Sequence, residues 1–527
     1  MFILGKFREI GLIIFCSLFF LQYSFKKIDN VKKITVASSG KIDSVDPARA
    51  NTLKSYQLIS ALGDTLYEIN NQGNLIPKLA SAMPIVSSDK LKVKIKLKKG
   101  INFHDGTSFD ASAMKFTIER FQNLGTANYL LDNKIKSIEA PQKHLLVINL
   151  KEPFSKLEGL LTSINLTAVS PSFYKNHFNK FLNDKFVGTG KYKLQSFSNE
   201  IQILSPNINH WEGKPRNNGI NFIGYNSSSS LYGAFRSNQI DVLLSNSIDD
   251  TIRFKLYQLS KEEKIKEGKS KPSEISFVSF KTINKPLDNK QIRIALSKTL
   301  NRELVSKKVS YGLRSPAKSI IPLIYTQKVS NSWQNYDPIE AKKILRKFGY
   351  CDGNILKLPL TYRSNVPSDK LIAIIWQKDV HDSMRDCLSI KINGVESTTI
   401  YKNLGKGLYS AVILDWKGGY SDPEAYLSPL LKCNSFIEEK CIEGESVFSG
   451  SFWASNKVER LFNESDNLIG EKRLNKLLLI EKIASESAPY IPIWVSSQKA
   501  WSQNNISTPL FSGAGFILMS QLEVINE

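Results

Sequence analysis

The sequence predicts an α/β protein, because segments with the two-residue period of a strand alternate along it with segments of helical period. A chain of 527 residues is too long for one ordinary core, so two or three lobes are expected. The composition, 42% hydrophobic and 23% charged, is typical of a folded, soluble protein. No fixed-period repeat and no low-complexity linker marks a boundary between the lobes.

The clearest elements come early in the chain. "LKVKIKLKKG", from Leu91, alternates strictly and predicts a half-buried strand. "DASAMKFTIERFQNL" has apolar residues at helical spacing, and Asp110 is placed to cap its start. Between them "FHDGT" predicts a tight turn, in which Gly106 tolerates positive φ and Asp105 bonds nearby amides. We therefore interpret His104 as part of a turn, not as half of a catalytic dyad or metal site.

Later segments continue the alternation of strands and helices. "KITVASSG" predicts a strand, "GKYKLQSFSNEIQILSP" two strands, and "LYGAFRSNQIDVLLS" a helix leading into a strand. "NKQIRIALSKTLNRELVSKKV" predicts one long helix. "DPIEAKKILRKFGY" predicts another helix, in which Asp337 caps the start, Pro338 suits the first turn and Gly349 suits the end.

The formal net charge of +22 raises the question of an acidic partner. The lysines are scattered over predicted solvent faces, as in the alternating "LKVKIKLKK", and no arginine-rich run or nucleic-acid module is present. The charge therefore indicates a basic solvated surface, and no nucleic-acid partner is expected.

The N-terminus is predicted to carry an export signal. Lys6 and Arg8 precede an apolar run over residues 10–21, which suits the core of a signal peptide and is short for a membrane span. A clean cleavage site is missing, so residues 1–32 are either a signal peptide or an N-terminal anchor. The protein is expected to be periplasmic or otherwise extracytoplasmic, with a tether through residues 10–21 left open.

Because an exported protein reaches an oxidising compartment, four of its cysteines are expected to form disulfides. Cys433 and Cys441 flank the short "NSFIEEK" and predict a local disulfide. Cys351 and Cys387 each precede a strand-like segment, so they would meet and pair if those strands were adjacent and parallel. Metal binding is not expected from these cysteines, because the spacing lacks paired CxxC motifs.

Several motifs, in order, give the chain a family resemblance. They are "LKVKIKLKKGINFHDGTSFDASAMKFTIERF", "FVGTGKYKLQSF", "NINHWEGKP", "SNQIDV", "KPLDNKQIRIALSKTLNRELV" and "YDPIEAKKILRKFGY". Together they resemble the family 5 extracellular solute-binding proteins, the peptide- or oligopeptide-binding components of ABC importers. The resemblance runs from about residue 33 to near the C-terminus.

The resemblance implies a two-lobed, class II periplasmic binding protein fold with an additional domain on the first lobe. Lobe I would combine three segments, and the other parts would be continuous. The implied boundaries are 33–68, 187–271 and 489–527 for lobe I, 69–186 for the accessory domain, and 272–488 for lobe III. The implied partners are a small peptide or other small solute and the permease subunits of an ABC transporter, and the protein would act as a monomer without a cofactor.

One segment resembles the ligand-binding part of the family. In "ILDWKGGYSDPEAYLSPLL", Trp416 matches a tryptophan that contacts the ligand in peptide-binding relatives. The position at which relatives carry an aspartate for the peptide's α-ammonium is Gly419 here. An ammonium that leaves water needs an opposing carboxylate. Either Asp415 substitutes for that aspartate, or the ligand is not an ordinary free-amine peptide.

The other candidate ligand-binding residues follow from the same comparison. Gly418 and Tyr420 share the segment with Trp416, and Lys281 stands where the family usually has an asparagine. A lysine near the ligand would favour an anionic group. A non-peptide ligand, such as an anionic solute or a metal chelate, and a role as an extracytoplasmic sensor therefore stay open.

No catalytic residues are predicted. The five histidines form no HExxH or HxH motif, and no GxSxG motif is present. An enzyme is therefore not expected.

Overall fold

The computed structural model describes residues 33–131, 133–245, 248–326 and 332–525. The predicted signal peptide or anchor, residues 1–32, lies outside these ranges. Within them, no helix combines the length and the apolarity needed to cross a bilayer.

A seven-stranded sheet forms the first of two large α/β units. Its strand order is Lys266–Lys269, Lys499–Ser502, Val242–Leu244, Ile34–Ser39, Ile220–Tyr225, Ile201–Pro206 and Tyr192–Phe197. The strand Ile34–Ser39 runs parallel to both of its neighbours and is buried on both faces. Val36 packs into one apolar cluster and Ala37 into another on the opposite face, so this central strand is covered on both sides.

A six-stranded sheet forms the second large unit. Its strand order is Ser315–Pro316, Tyr490–Ser496, Glu274–Phe280, Ala411–Lys417, Leu356–Arg363 and Leu388–Val395. The last three strands run parallel to one another, and Glu274–Phe280 is antiparallel to both of its neighbours.

Three smaller sheets complete the strands. A four-stranded antiparallel sheet has the order Ile85–Val86, Lys92–Lys96, Leu145–Leu150 and Ile135–Gln142. The two hairpins are Tyr67–Ile69 with Leu75–Pro77 and Ser435–Ile437 with Lys440–Glu443.

The helices surround these sheets. The α-helices are Leu53–Leu62, Ala111–Leu124, Leu157–Leu160, Pro171–Tyr174, Ser228–Arg236, Asp250–Lys261, Lys290–Lys298, Arg302–Val309, Leu323–Thr326, Pro338–Lys347, Pro367–Met384, Ser397–Leu404, Ser428–Leu431, Glu445–Phe448, Asn456–Ser465 and Gly470–Ser487. Short 3-10 helices lie at Asn128–Leu130, Ile164–Leu166, Lys175–His177, Pro423–Tyr426 and Met519–Gln521.

The predicted turn at His104 is confirmed. Asp105 Oδ1 accepts hydrogen bonds from the Thr107 amide (3.0 Å) and hydroxyl (2.6 Å), and Gly106 has φ +85°. The His104 Nε2 atom lies 3.0 Å from the carbonyl oxygen of Gly190, and burial lowers the pKa of this imidazole to about 4. His104 and Asp105 thus bond different partners: His104 contacts the Gly190 carbonyl oxygen, whereas Asp105 bonds Thr107 within the turn and accepts from the Ser170 hydroxyl at 2.6 Å.

The predicted helix caps are also confirmed. Asp110 Oδ1 accepts from the Ala113 amide at 3.0 Å, and Asp337 Oδ1 accepts from the Glu340 amide at 3.0 Å. The prediction of one long helix from Lys290 to Val309 is wrong, because the chain forms two helices. Asn301 caps the second helix through the Leu304 amide (3.0 Å), which gives the chain a new helix start at that point.

Both predicted disulfides are present, Cys433–Cys441 and Cys351–Cys387. The second depends on strand pairing: Leu356 lies opposite Leu388 in a parallel pair, so the residues just before each strand meet. The expectation that Cys351 and Cys387 pair if the strands after them are adjacent and parallel is therefore confirmed.

Removing the two disulfides separately is expected to destabilise the protein unequally. They close loops of 36 and 8 residues, so the unfolded chain gains more freedom when Cys351 and Cys387 become alanine. We expect losses of about 3.8 kcal/mol for that pair and about 2.5 kcal/mol for Cys433 and Cys441. Urea unfolding of the two double-alanine variants, with reduced wild type as control, measures the difference. A larger loss for the shorter loop would contradict this prediction.

The chain passes between the two large sheets at only two places within the described residues. Residues 270–273 join strand Lys266–Lys269 to Glu274–Phe280, and residues 497–498 join Tyr490–Ser496 to Lys499–Ser502. The strand Tyr490–Ser496 thus pairs in the six-stranded sheet, although it falls in a segment predicted for lobe I. The division into lobes remains a prediction.

Candidate functional site

Most of the candidate residues lie at the carboxyl ends of the parallel strands of the six-stranded sheet. The strands Leu356–Arg363 and Ala411–Lys417 end on this side of the sheet, and the antiparallel strand Glu274–Phe280 begins there. The two connections to the seven-stranded sheet leave from the same side. In α/β proteins the carboxyl ends of parallel strands are a usual place for a ligand. We call residues 270–274, 415–421 and 496–499 the sheet junction.

The two connections are bonded to each other. The Ser270 amide donates to the Gln498 carbonyl oxygen (2.8 Å), and the Gln498 amide donates to Ser270 Oγ (2.9 Å). The Ser273 amide donates to the Ser496 carbonyl oxygen at 3.1 Å. The two segments therefore form one narrow bridge between the large sheets.

Asp415 lies at the junction, but both of its carboxylate oxygens are engaged. Arg363 donates to Oδ1 at 2.9 Å and to Oδ2 at 2.8 Å, a bidentate pair. The same guanidinium bonds buried Asp369 through Nε at 2.7 Å. Burial, which outweighs the opposing effect of Arg363, raises the pKa of Asp369 to about 6. In this arrangement Asp415 is a partner of Arg363 rather than an open acceptor for an amine.

Trp416 is half-buried at the junction. Its indole Nε1 donates to the Ala425 carbonyl oxygen at 2.8 Å, and its ring packs against the largest apolar cluster. Gly418 lies under Tyr426: a Cβ added at Gly418 would stand 2.9 Å from the Tyr426 ring. These contacts fix the position of residues 416–418, so Trp416 has a structural role in addition to any contact with a ligand.

Gly419 and Tyr420 differ sharply in exposure. Gly419 is exposed, and a Cβ added there would meet no heavy atom within 4 Å. Tyr420 is buried at 5% exposure, and its hydroxyl has no hydrogen-bond partner among the described residues. Burial raises the pKa of the Tyr420 hydroxyl above its usual range.

Lys281 is not brought together with these residues. It follows Phe280, which pairs with Ala411 at the far end of the strand from Ile275, the partner of Trp416. At ~3.3 Å per residue, the six residues from Ile275 to Lys281 span about 20 Å. The Lys281 Nζ atom donates to the Gly407 carbonyl oxygen at 2.7 Å.

A buried cation of the junction, Lys417, was missed by the sequence reasoning. Its ammonium nitrogen is buried, has no hydrogen-bond partner among the described residues, and lies 5.0 Å from the centre of the Phe516 ring. Burial lowers the pKa of this ammonium to about 8, against the attraction of Glu274. Glu274 lies opposite Lys417 on the neighbouring strand, and burial together with Asp415 raises its pKa. The usable sequence signal was a lysine directly after Trp416 at a strand end.

A cavity of about 140 Å³ adjoins the junction. It is lined by Ser421 of the junction, by Thr162, and by side chains around helix Leu53–Leu62 and the C-terminal segment 512–520. The Ser421 amide donates to Thr162 Oγ1 at 3.2 Å. Elements from both large units therefore line the same cavity.

Charged side chains on the wall of this cavity are already paired. Lys78 Nζ lies 2.7 Å from a Glu212 oxygen and 4.0 Å from Asp64. Asp64 accepts from the Thr189 hydroxyl at 2.8 Å. Burial would raise the pKa of Asp64, but His210, Lys78 and Thr189 lower it to about 2. This wall is therefore a closed ion-pair network.

Two large sheets joined by a narrow double connection, with a shared cavity between them, define a protein of the two-lobed binding class. The chain belongs to the bacterial extracellular solute-binding proteins, family 5, because the family model described as "Bacterial extracellular solute-binding proteins, family 5 Middle" matches residues 74–437.

Relatives and solved structures agree with this placement. The glutathione-binding protein GsiB of Escherichia coli O6:K15:H31 (strain 536 / UPEC) is 24% identical over 492 residues, which cover 90% of this chain and 91% of GsiB. A dipeptide-binding protein from Pseudoalteromonas sp. SM9913, in complex with Met-Leu, has a TM-score of 0.78 at 20% identity over 94% of this chain and all of its own. NikA from Brucella suis, in complex with Fe(III)-EDTA, has a TM-score of 0.80 at 19% identity, with the same coverage. At these identities, the two structures show the fold, and the predicted two-lobed fold class is confirmed.

Proposed function

We propose that this protein is the extracytoplasmic solute-binding component of an ABC importer, which captures a peptide or related small solute and delivers it to a permease. The observation that carries the proposal is the meeting of both large units around the sheet junction. A ligand held there contacts both units, so it stabilises their closed arrangement over an open one.

The bridge between the sheets suits a hinge. Residues 270–273 and 497–498 are short, and a few backbone dihedrals in them can rotate one unit against the other. A contact beside the bridge also joins the two units: Arg314, next to the six-stranded sheet, lies 2.7 Å from Asp250, in a helix beside the seven-stranded sheet.

The size of the solute follows from the relatives. GsiB is described as binding glutathione, and the Pseudoalteromonas protein as binding a dipeptide. A peptide of a few residues is therefore the first class of ligand to test. Residues 1–32 would direct export, as a signal peptide or as an anchor through residues 10–21, and the protein would act as a monomer.

Capture by closure predicts a measurable compaction. Native mass spectrometry of protein purified from its own host is expected to show a bound solute of a few hundred daltons, which partial unfolding removes. Small-angle scattering should then show a smaller radius of gyration when the same solute is returned to the stripped protein. A compound of similar size that does not bind the protein serves as the control and should leave the radius of gyration unchanged. An unchanged radius of gyration, or a solute chemically altered on release, would contradict the proposal.

A further inference from the structure

We propose that Lys417 receives a carboxylate of the captured solute, so that the ligand class is a small molecule with a carboxylate buried at the sheet junction. This inference rests on the proposed function, because it assumes that a solute binds between the two sheets. It goes further by naming the group that the site recognises and the residue that recognises it.

The first argument is the state of the Lys417 ammonium. Its nitrogen is buried and without a hydrogen-bond acceptor, although an ammonium has three donors to satisfy. The Phe516 ring at 5.0 Å supplies only a cation–π contact. Glu274 lies on the neighbouring strand, but its Oε2 accepts from Gln498 Nε2 at 2.9 Å. A buried cation left in this state costs free energy that a ligand oxygen would recover.

The second argument is where the nitrogen lies. A small cavity beside it is lined by Leu244 and Lys499 of the seven-stranded sheet, by Lys417 of the six-stranded sheet, and by Gly515 and Phe516 of the C-terminal segment. Its volume is about 10 Å³, room for one water. Because the walls belong to both sheets, rotation at the bridge would widen this space and admit a ligand group.

Beside Phe516, the C-terminal segment has a glycine next to the nitrogen, and this lack of a second side chain fits such an exchange. A Cβ added at Gly515 would stand only 3.3 Å from Lys417 Nζ, and Gly515 has φ +81°. Gly515 thus contributes only backbone to the wall beside the ammonium. A larger residue at this position would crowd both the ammonium and any group bound to it.

The third argument is that the neighbouring charges already have partners. Asp415 is held by Arg363, Lys499 lies 2.8 Å from Glu267, and Arg314 lies 2.7 Å from Asp250. Glu274 accepts from the neutral Gln498 side chain and Lys271 is exposed, so Lys417 is the junction cation whose buried nitrogen has no hydrogen-bond acceptor among the described residues. A single unpaired ammonium matches a single negative charge, which favours a carboxylate over a phosphate dianion.

The test compares matched peptide pools. Four tripeptide pools are prepared, with a free or an amidated C-terminus and with glutamate or glutamine at a fixed internal position. Binding to wild type, Lys417→Met and Lys391→Met is measured by native mass spectrometry and titration calorimetry. Methionine keeps the apolar stem and removes the charge, and Lys391 is an exposed lysine on another strand of the same sheet. Lys417→Gln is the second variant should Lys417→Met not fold.

We expect wild type to bind one carboxylate form at least tenfold more tightly than its neutral counterpart. That ratio should fall to near one in Lys417→Met and persist in Lys391→Met. Loss of the preference for the free C-terminus identifies the main-chain carboxylate as the bound group, and loss of the preference for glutamate identifies the side chain.

Other outcomes overturn the inference. Equal binding of acid and neutral pools by wild type, or a preference that survives in Lys417→Met, removes this role while the proposed function stands. Failure of every pool, together with no co-purified solute, overturns the proposed function and the inference with it.

Discussion

Asp46→Asn is expected to lower the free energy of unfolding by about 3–5 kcal/mol, the cost of leaving one member of a buried ion pair without its partner. Asp46 is 0% exposed and Arg120 is 2% exposed. Arg120 donates to both Asp46 oxygens, at 2.9 and 2.6 Å. The Ala48 and Leu182 amides donate to the same carboxylate, at 3.0 and 2.7 Å.

The loss of stability is expected to be large because Asp46 links three separate parts of the fold. The carboxylate connects the loop after the first strand with helix Ala111–Leu124 and with the chain near Leu182. Asparagine keeps the size and one acceptor but loses the charge, so the Arg120 guanidinium stays buried without an opposing charge.

A matched control lies one residue away. Glu119 pairs with Lys115 across one helical turn, at 3.6 Å and about 40% exposure of both side chains. Glu119→Gln is expected to change stability by less than about 0.5 kcal/mol, because exposed pairs of this kind contribute little. Urea unfolding of the two variants, side by side, measures the contrast. Asp46→Asn with a loss no larger than that of Glu119→Gln would contradict the prediction.

Local patterns in the sequence predicted local structure well. Asp110 and Asp337 cap their helices as expected, because a cap needs only residues within one turn. The disulfide between Cys351 and Cys387 could also be predicted, because each cysteine precedes a strand-like segment and the two strands pair in parallel.

The charges at the sheet junction could not be assigned from the sequence, because their partners are distant in the chain. Asp415 was a candidate for binding an amine, but Arg363, 52 residues earlier, takes both of its oxygens once two parallel strands align. Lys281 was chosen as the cation near the ligand, whereas Lys417 occupies the junction. Which end of a strand faces the second sheet depends on the topology of the whole sheet, and residue type alone does not reveal it.

Gly419→Asp is expected to create a site for the α-ammonium of a peptide. The family resemblance places an aspartate at this position in peptide-binding relatives, and in this chain nothing lies within 4 Å of an added Cβ. The backbone of Gly419 is outside the left-handed region, so an aspartate fits there without strain. A charge-assisted hydrogen bond contributes about 1.5–3 kcal/mol, so tripeptides with a free amino end should bind roughly ten- to a hundredfold more tightly than to wild type.

Two comparisons separate a new ammonium site from a general change in the cleft. N-acetylated versions of the same tripeptides have no ammonium, so their affinity should be the same for the variant and for wild type. Gly419→Asn has nearly the same shape without the charge and should give little of the gain, because a neutral acceptor compensates a buried ammonium poorly. Titration calorimetry with both peptide forms measures these differences. If the aspartate tightened acetylated and free peptides equally, or neither of them, the segment after Trp416 would not face the amino end of the ligand, and the family's binding mode would not transfer to this chain.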